Sequence, residues 1–472
     1  MAWLYQLLGS NGTSIANVDT SGNLQVFANN TQNNPLNVAL TPYNDSLDAF
    51  GRQRTSEARI GFEYHFCTGM NADVFESTAY GAGSAAVNTS AWTLVLSSTT
   101  ASGTGYWIQA YAPTLYAPGI SVLNRFTFCF NQLISNLTMR VGYYSDTSAT
   151  PPSSAGDGVF LEAQGSAISF VLRTLTNGTS GSEVRVAQNS WNLDRCDGTG
   201  PSGYNIDWTT AQHLVMQYEW LGVGVIKLGF ETGPLTPTQG TIWAHQFNNI
   251  NVTNLPWCRT GMLPCRAEIF TTSTTSTAGN LTLINTTSLL EGDVISSRGW
   301  RYYSANSGAA LKTIGVTSGS LYPVLALRAL LTNSITARTQ FVPTALSITV
   351  ATAATTSQGL MWALLINPTP MTGATFAVTN GSSNIAIDNA ATATTAVTGT
   401  LLASGVMQNL INTTQVIDLT FLHDSVIRAA QNAAGSLTIS GHNVLTLAVG
   451  PMGTNSGAGA ALIASIDWKE LV

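Results

Sequence analysis

Short apolar and aromatic runs recur along this chain at close spacing, separated by clusters of Gly, Ser, Thr, Asn and Pro. Val, Ile, Tyr, Trp and Phe suit a pleated, half-buried surface, and the clusters between them mark turns. The clearest stretch is Trp191 to Phe247. It holds three strand-like runs, Ala211 to Leu221, Val223 to Phe230 and Thr241 to Phe247, which predict a β-meander. Asp197 to Gly203 (DGTGPSG) forms a tight loop leading into it. Upstream, strands are predicted at Phe62–Phe66, Trp92–Ser97, Gly105–Ala110, Arg125–Asn131, Leu137–Tyr144, Val159–Gln164, Ala167–Leu175 and Glu183–Ala187. Arg266–Thr271 and Asn280–Thr286 close the set. No amphipathic helical pattern competes. The expectation is an all-β chain whose central part, residues 48–300, is an antiparallel sandwich of jelly-roll or lectin-like form.

From about Arg301 the texture changes to Ala, Thr, Ser and Asn with few aromatics. Leu321–Leu331, Arg338–Val342, Thr344–Thr352, Gly359–Asn367, Thr375–Thr379, Val416–Phe421, Val444–Val449 and Ala461–Trp468 predict a second, smaller β-sandwich over residues 301–472. A short helix is expected at Val426–Asn432. Asn389–Thr400 is low in complexity and fits loops or flat strands packed on identical neighbours. Residues 1–47 read as an extended N-terminal arm with a turn and a short strand at Leu24–Phe27. It has too little apolar material for a core of its own, and such arms gain order on a neighbour.

Several motifs bear a resemblance. The run WNLDRCDGTGPSG from Trp191, then AQHLVMQYEWLGVGVIKLGF, WAHQFNN and LPCRAEI are similar to a family of virion structural proteins from tailed bacteriophages. DAFGRQRTSEA (Asp48–Ala58) and ASIDWKEL (Ala464–Leu471) are similar to the same family's end motifs. The resemblance covers nearly the whole chain. It implies a non-enzymatic particle component made and assembled in a bacterial cytoplasm: head decoration, fibre or tail protein. The expected partners are copies of itself, threefold by analogy with fibres, and other capsid or tail proteins. The resemblance brings no catalytic residues.

Composition agrees with a surface made for contact. Of 472 residues, 44% are hydrophobic and only 9% charged, against roughly 25% charged in ordinary domains. Net charge is −6 without a basic run, so nucleic-acid binding through phosphates is not expected. The lysines are Lys227, Lys312 and Lys469; the other cations are arginines, which suit planar, desolvated contacts. Arg52, Arg54, Glu57 and Arg59 alternate in a way that can place several on one strand face, as a candidate ion-paired interface. Neither a leader with a basic start nor an apolar run of about 20 residues is evident, so membrane insertion is not expected. Cys67, Cys129, Cys196, Cys258 and Cys265 are too sparse for a disulfide scaffold and read as buried thiols, with no zinc spacing.

Candidate chemistry is thin. Glycoside hydrolysis needs two carboxylates at a set separation, but Glu162, Glu219 and Glu231 stand alone, and Asp194 and Asp197 sit where turn hydrogen bonds are expected. His213 and His245 can approach across neighbouring strands, although structural imidazoles are the expectation. No cofactor loop is present: the glycines at Gly222 and Gly224 suit a sharp strand connection. Trp191, Trp208, Trp220, Trp243 and Trp257 crowd the central stretch. Exposed, they would stack on sugar rings and make a glycan- or receptor-binding module, such as a host-surface adhesin or a tail depolymerase. Buried, they are core.

Overall fold

The computed structural model describes residues 16–18, 24–26, 48–50, 52, 57–72, 74–114, 116, 118–146, 156–176, 181–232, 240–291, 300–305, 311–329, 340–354, 359–378, 383, 385–419, 422, 427–428, 444–453 and 459–471. The chain divides into two units, Met1–Asn44 and Asp45–Val472. In the first, β1 (Ala16–Val18) and β2 (Leu24–Val26) pair antiparallel, with Ala16 opposite Val26.

The second unit is all-β; the described residues contain no α-helix. Its strands begin with β3 (Ala58–His65), β4 (Phe75–Tyr80), β5 (Ser84–Asn88), β6 (Thr93–Ser97), β7 (Gly105–Pro113), β8 (Val122–Cys129), β9 (Leu137–Tyr144) and β10 (Gly158–Gln164). They continue with β11 (Ala167–Thr174), β12 (Ser182–Ala187), β13 (Gln212–Tyr218), β14 (Ile226–Thr232), β15 (Gly240–Phe247), β16 (Pro264–Thr271) and β17 (Asn280–Glu291). Two antiparallel sheets result. One has seven strands in the order β12-β11-β10-β9-β16-β7-β4; the other has eight, with β15-β14-β13-β8-β17-β6-β5 in line and β3 on the far half of β17. The predicted meander is the β13-β14-β15 end of the second sheet.

Side-chain alternation decides what each sheet buries. Along β9, Leu137, Met139, Val141 and Tyr143 enter the core between the sheets, where they meet Phe126, Phe128, Leu214 and Tyr218 from the opposite sheet. Thr138, Arg140 and Tyr144 therefore face the other way. The connection from β13 to β14 is as sharp as its glycines suggest. Gly222 has φ 79°, and a Cβ on Gly224 would stand 1.7 Å from the Glu219 carbonyl oxygen.

The remaining strands form a second sandwich: β18 (Trp300–Ala305), β19 (Lys312–Thr313), β20 (Tyr322–Ala329), β21 (Gln340–Thr352), β22 (Gly359–Thr369), β23 (Ile385–Asp388), β24 (Thr398–Met407), β25 (Thr414–Asp418), β26 (Ile427–Arg428), β27 (Val444–Met452) and β28 (Ala461–Leu471). A six-stranded sheet, β18-β28-β21-β25 with β19 and β26 alongside, faces a five-stranded one, β23-β20-β27-β22-β24. Leu346, Ile348, Ile466 and Trp468 from the first pack on Leu325, Leu364, Leu447 and Val449 from the second.

Two expectations are corrected here. Of the helix expected at Val426–Asn432 only Ile427–Arg428 lie among the described residues, and these form a strand that pairs with Gln340–Phe341. Of the strand expected at Thr375–Thr379, Thr379 lies outside the described residues and the rest holds a single bridge, Ala377 to Ile387, the backbone N–H of Thr375 being taken by the Asp388 carboxylate at 2.7 Å.

Candidate functional site: the outer face of the seven-stranded sheet

The residues of the seven-stranded sheet that point away from the core form one connected polar network. Register builds it. Glu162 lies opposite Arg140, and Arg140 opposite Glu268, on three adjacent strands. Arg140 donates to Glu162 and to Glu268, both at 2.7 Å. Arg266, two residues from Glu268 and so on the same face, donates to it from Nη2 at 2.8 Å and Nε at 3.1 Å. Arg266 also reaches the Gln109 Oε1 at 3.1 Å, and Gln109 Nε2 donates to Glu76 at 2.7 Å.

On the other side, Arg185 donates to Glu162 at 2.7 Å and approaches Glu183 at 2.7 Å. Arg173 donates to Glu183 at 2.7 Å and to Asp146 at 3.0 Å. The network thus touches every strand of the sheet. Aromatic rings separate the guanidinium groups: Arg266 stands 4.4 Å from the Trp107 ring centre, Arg173 5.0 Å and Arg140 5.3 Å from that of Phe160. Gly158, with φ 143°, leaves room where a Cβ would meet Tyr144 at 2.4 Å.

Arg140, Arg173, Arg266, Glu162 and Glu268 are all buried, so their charges survive only because they are paired. Burial pushes the Glu268 carboxyl up, but Arg266, Arg140 and Arg173 outweigh it and hold it at about 2. Glu162 is likewise below the usual carboxylate range, because Arg185 and Arg140 overcome its burial. Glu76, on the sheet's edge strand β4, goes the other way. Burial raises it to about 7, only partly offset by Arg266 and the Gln109 bond. On this face the Glu76 carboxyl is therefore raised while those of Glu162 and Glu268 are lowered. Around them Tyr80 Oη, Trp107 Nε1, Thr138 Oγ1, Tyr144 Oη and Arg173 Nη2 are buried with no hydrogen-bond partner.

The residues singled out in the sequence lie elsewhere, Glu162 excepted. Trp191, Trp208 and Trp257 are in the core between the sheets, and Trp220 packs half-buried against it. Trp191 stacks on Phe170 at 4.3 Å. Trp243 is buried on the outer face of the eight-stranded sheet with Leu123 and Val215. None of the four buried rings is presented for stacking on a sugar. His245 is in the core layer, stacked on Phe170 and lowered to about 4 by burial. His213 lies on the other face of the sheet, 2.7 Å from Glu231, so the two imidazoles do not meet. Burial would raise Glu231, but His213 and Arg125 hold it at about 2.

Asp194 and Asp197 make turn bonds as expected. Asp194 accepts from the backbone N–H of Cys196 at 2.8 Å and of Ser202 at 2.7 Å; Asp197 accepts from that of Thr199 at 2.9 Å. Arg52 pairs within the chain, with Asp48 and with Glu219, and burial raises Glu219 against that partner. Arg52 and Glu57 precede β3, whereas Arg59 is on it; all three are exposed, and Arg54 lies outside the described residues. Of the described three, only Arg59 is on a strand. The cysteines are free, Cys67 half-buried and the rest buried.

Among the described residues no group of three or more His, Cys, Asp or Glu is placed to hold a metal ion, and no helix is long and apolar enough to cross a membrane. Most of the outer-face network escaped the sequence reading. Its signal was Arg266 and Glu268 two apart in PCRAEIF, together with Arg140 and Glu162 inside otherwise apolar runs.

No protein-family model matches the chain, and no match occurs among curated proteins. Among solved structures, the Emp46p carbohydrate recognition domain in its potassium-bound form is similar at 11% identity and a TM-score of 0.27, covering 47% of this chain and 89% of that one. An endo-1,3-beta-glucanase from Streptomyces sioyaensis gives 8% identity and 0.35 over 51% of this chain and 99% of that one. A glycosyl hydrolase family 16 protein from Mycobacterium smegmatis gives 8% and 0.32 over 49% and 100%. At these values the likenesses carry no activity to this chain, and the paired-sheet architecture rests on its own strand order.

Proposed function

We propose that this chain is a non-enzymatic structural component of a tailed-phage virion, working by oligomerisation and by docking to other virion proteins. The observation that carries the reading is where its few charges go. A chain with 9% charged residues commits Arg140, Arg173, Arg266, Glu162 and Glu268 to the interior of one sheet face. Among the described residues large apolar side chains stand exposed at the same time, Trp92 at 63%, Val252 at 75%, Tyr303 at 79% and Val416 at 73% among them, a surface suited to contact. The motif resemblance supplies the kind of particle. Antibody against the chain should label intact particles by immunogold electron microscopy, and its peptides should appear in the mass spectrum of purified virions. Particles that contain none of the chain overturn the reading.

A further inference from the structure

The hairpin between β5 and β6 carries a residue that neither its turn nor the core accounts for. Asn88 lies opposite Thr93, and residues 89–92 make the connection between them. Hydrogen bonds hold this connection from inside. The Trp92 N–H donates to the Asn88 carbonyl at 2.7 Å. The Asn88 Oδ1 accepts from the N–H groups of Ser90 and Ala91, at 3.1 and 3.2 Å. Trp92 closes the turn with φ 55°. Glycine and asparagine adopt that left-handed conformation readily, whereas a bulky side chain adopts it at a cost.

Packing does not offset that cost. Among the described tryptophan side chains Trp92 alone is exposed, at 63%; the others are buried or half-buried. Residues 88–91 are exposed as well, so the indole stands at the end of a convex tip. It is also the one large group there, beside Asn88, Thr89, Ser90 and Ala91. A strained backbone under a side chain that buries little points to a contact outside the chain.

The surroundings narrow the partner. From Ser77 to Asn124 the sequence contains no Asp, Glu, Lys, Arg or His. Both strands of the hairpin fall within that stretch, so the tip offers nothing for a partner to read by charge, and no cation of this stretch draws an anionic lipid surface. Sugar and small-ligand sites are concave, with several polar groups converging on the ligand. A lone ring on a convex tip has the opposite shape and fits into a pocket of another protein. Tryptophan is among the side chains that most often carry binding energy in that position.

We infer that Trp92 is a docking anchor whose indole seats in an uncharged, apolar pocket of another protein of the particle. The inference rests on the assembly reading above and adds the contact residue and the chemistry of its partner. The hydrogen-bonded turn presents the ring already ordered, which lowers the entropy lost on docking.

The test uses Trp92→Ala and Trp92→Gly in the full chain. Both purified variants should keep the far-ultraviolet β spectrum, and Trp92→Gly should melt above the parent, since glycine takes φ 55° without strain. In particles produced with either variant, mass spectrometry of purified virions should show the chain reduced roughly tenfold or more. Val184→Thr, at another exposed apolar position, should be incorporated like the parent. Trp92 variants present at the parental level overturn this docking mode and leave the assembly reading standing; if those particles also lose binding to host glycan, the ring is a sugar platform instead. A purified parent whose mass by light scattering falls in Trp92→Ala makes the occupant a second copy and overturns the choice of partner. A Trp92→Gly chain that melts below the parent means that the indole serves the fold, and overturns the inference. Particles that contain none of the parent chain overturn both readings.

Discussion

The two sandwiches reach a buried interior by different means. The first carries its charges inside, on the outer face of its seven-stranded sheet, where Arg140 joins Glu162 to Glu268 and Arg173 joins Glu183 to Asp146. The second has a long stretch nearly free of charge: from Thr339 to Ile417 the one charged residue is Asp388. Its outer sheet face is covered by an aliphatic cluster of Ala363, Leu365, Val397 and Ala448. The difference teaches that one chain can use directional bonds in one sandwich and plain apolar burial in the other. A slip of one residue in β9 would turn Arg140 into the apolar core and take from Glu162 and Glu268 the cation they share.

The sharpest way to break this comparison is to remove one key group from each sandwich. Arg140→Met leaves buried carboxylates short of a partner and should cost about 3–5 kcal/mol. Trp468→Ala, which empties a buried site stacked on Tyr302, should cost a similar ~3–5 kcal/mol. Calorimetry should show the first variant lowering the transition of the first sandwich by roughly 10 °C and the second lowering that of the other sandwich. Equal shifts of one common transition would mean that the sandwiches unfold as a unit.

A smaller effect is expected from pH. Glu268 and Glu231 are held at about 2, below the unfolded value of about 4.3. Their contribution is present above that unfolded value and lost as pH falls toward 2. His245, neutral in the fold at about 4, adds stability that is lost as pH falls from about 6.5. Glu76, raised to about 7, has the opposite sign: its stabilisation is present below about 4.3 and lost as pH rises through 7. All four lie in the first sandwich, so its melting temperature should move with pH more than that of the second. Glu76→Gln should raise stability relative to the parent at pH 8 and not at pH 4, which thermal melts at the two values check.

The smallest effect belongs to β24. Leu401→Thr, at an exposed position, should change the stability of a single copy by no more than about 0.5 kcal/mol in denaturant titration. A larger loss would mean that this position is already covered within the chain.

Strand positions were legible where apolar runs were dense. Leu137–Tyr144 is the strand its pattern predicts, and Gly105, Ala167 and Asn280 begin strands where expected. Ser84–Asn88, Thr398–Met407 and Ile385–Asp388 were missed, because small and polar residues dominate the first two and the third is only four residues long. The candidate site was less legible than the fold. The central tryptophans drew notice by their bulk, yet bulk is what sends a ring into the core. Charges scattered from Glu76 to Glu268 gave no local pattern, since their pairing is made across strands.

The sequence by itself determined that this chain is all-β, where most of its strands run, and that charge is scarce, because period-two alternation and turn residues are local properties. The tertiary structure alone decided that Glu162, Arg140 and Glu268 lie in one row, that His213 and His245 part to opposite faces, and that β24 comes last in its sheet among the described strands. Each of these depends on which strand lies beside which, a choice made by long-range register and by the shared cores that a linear pattern does not contain.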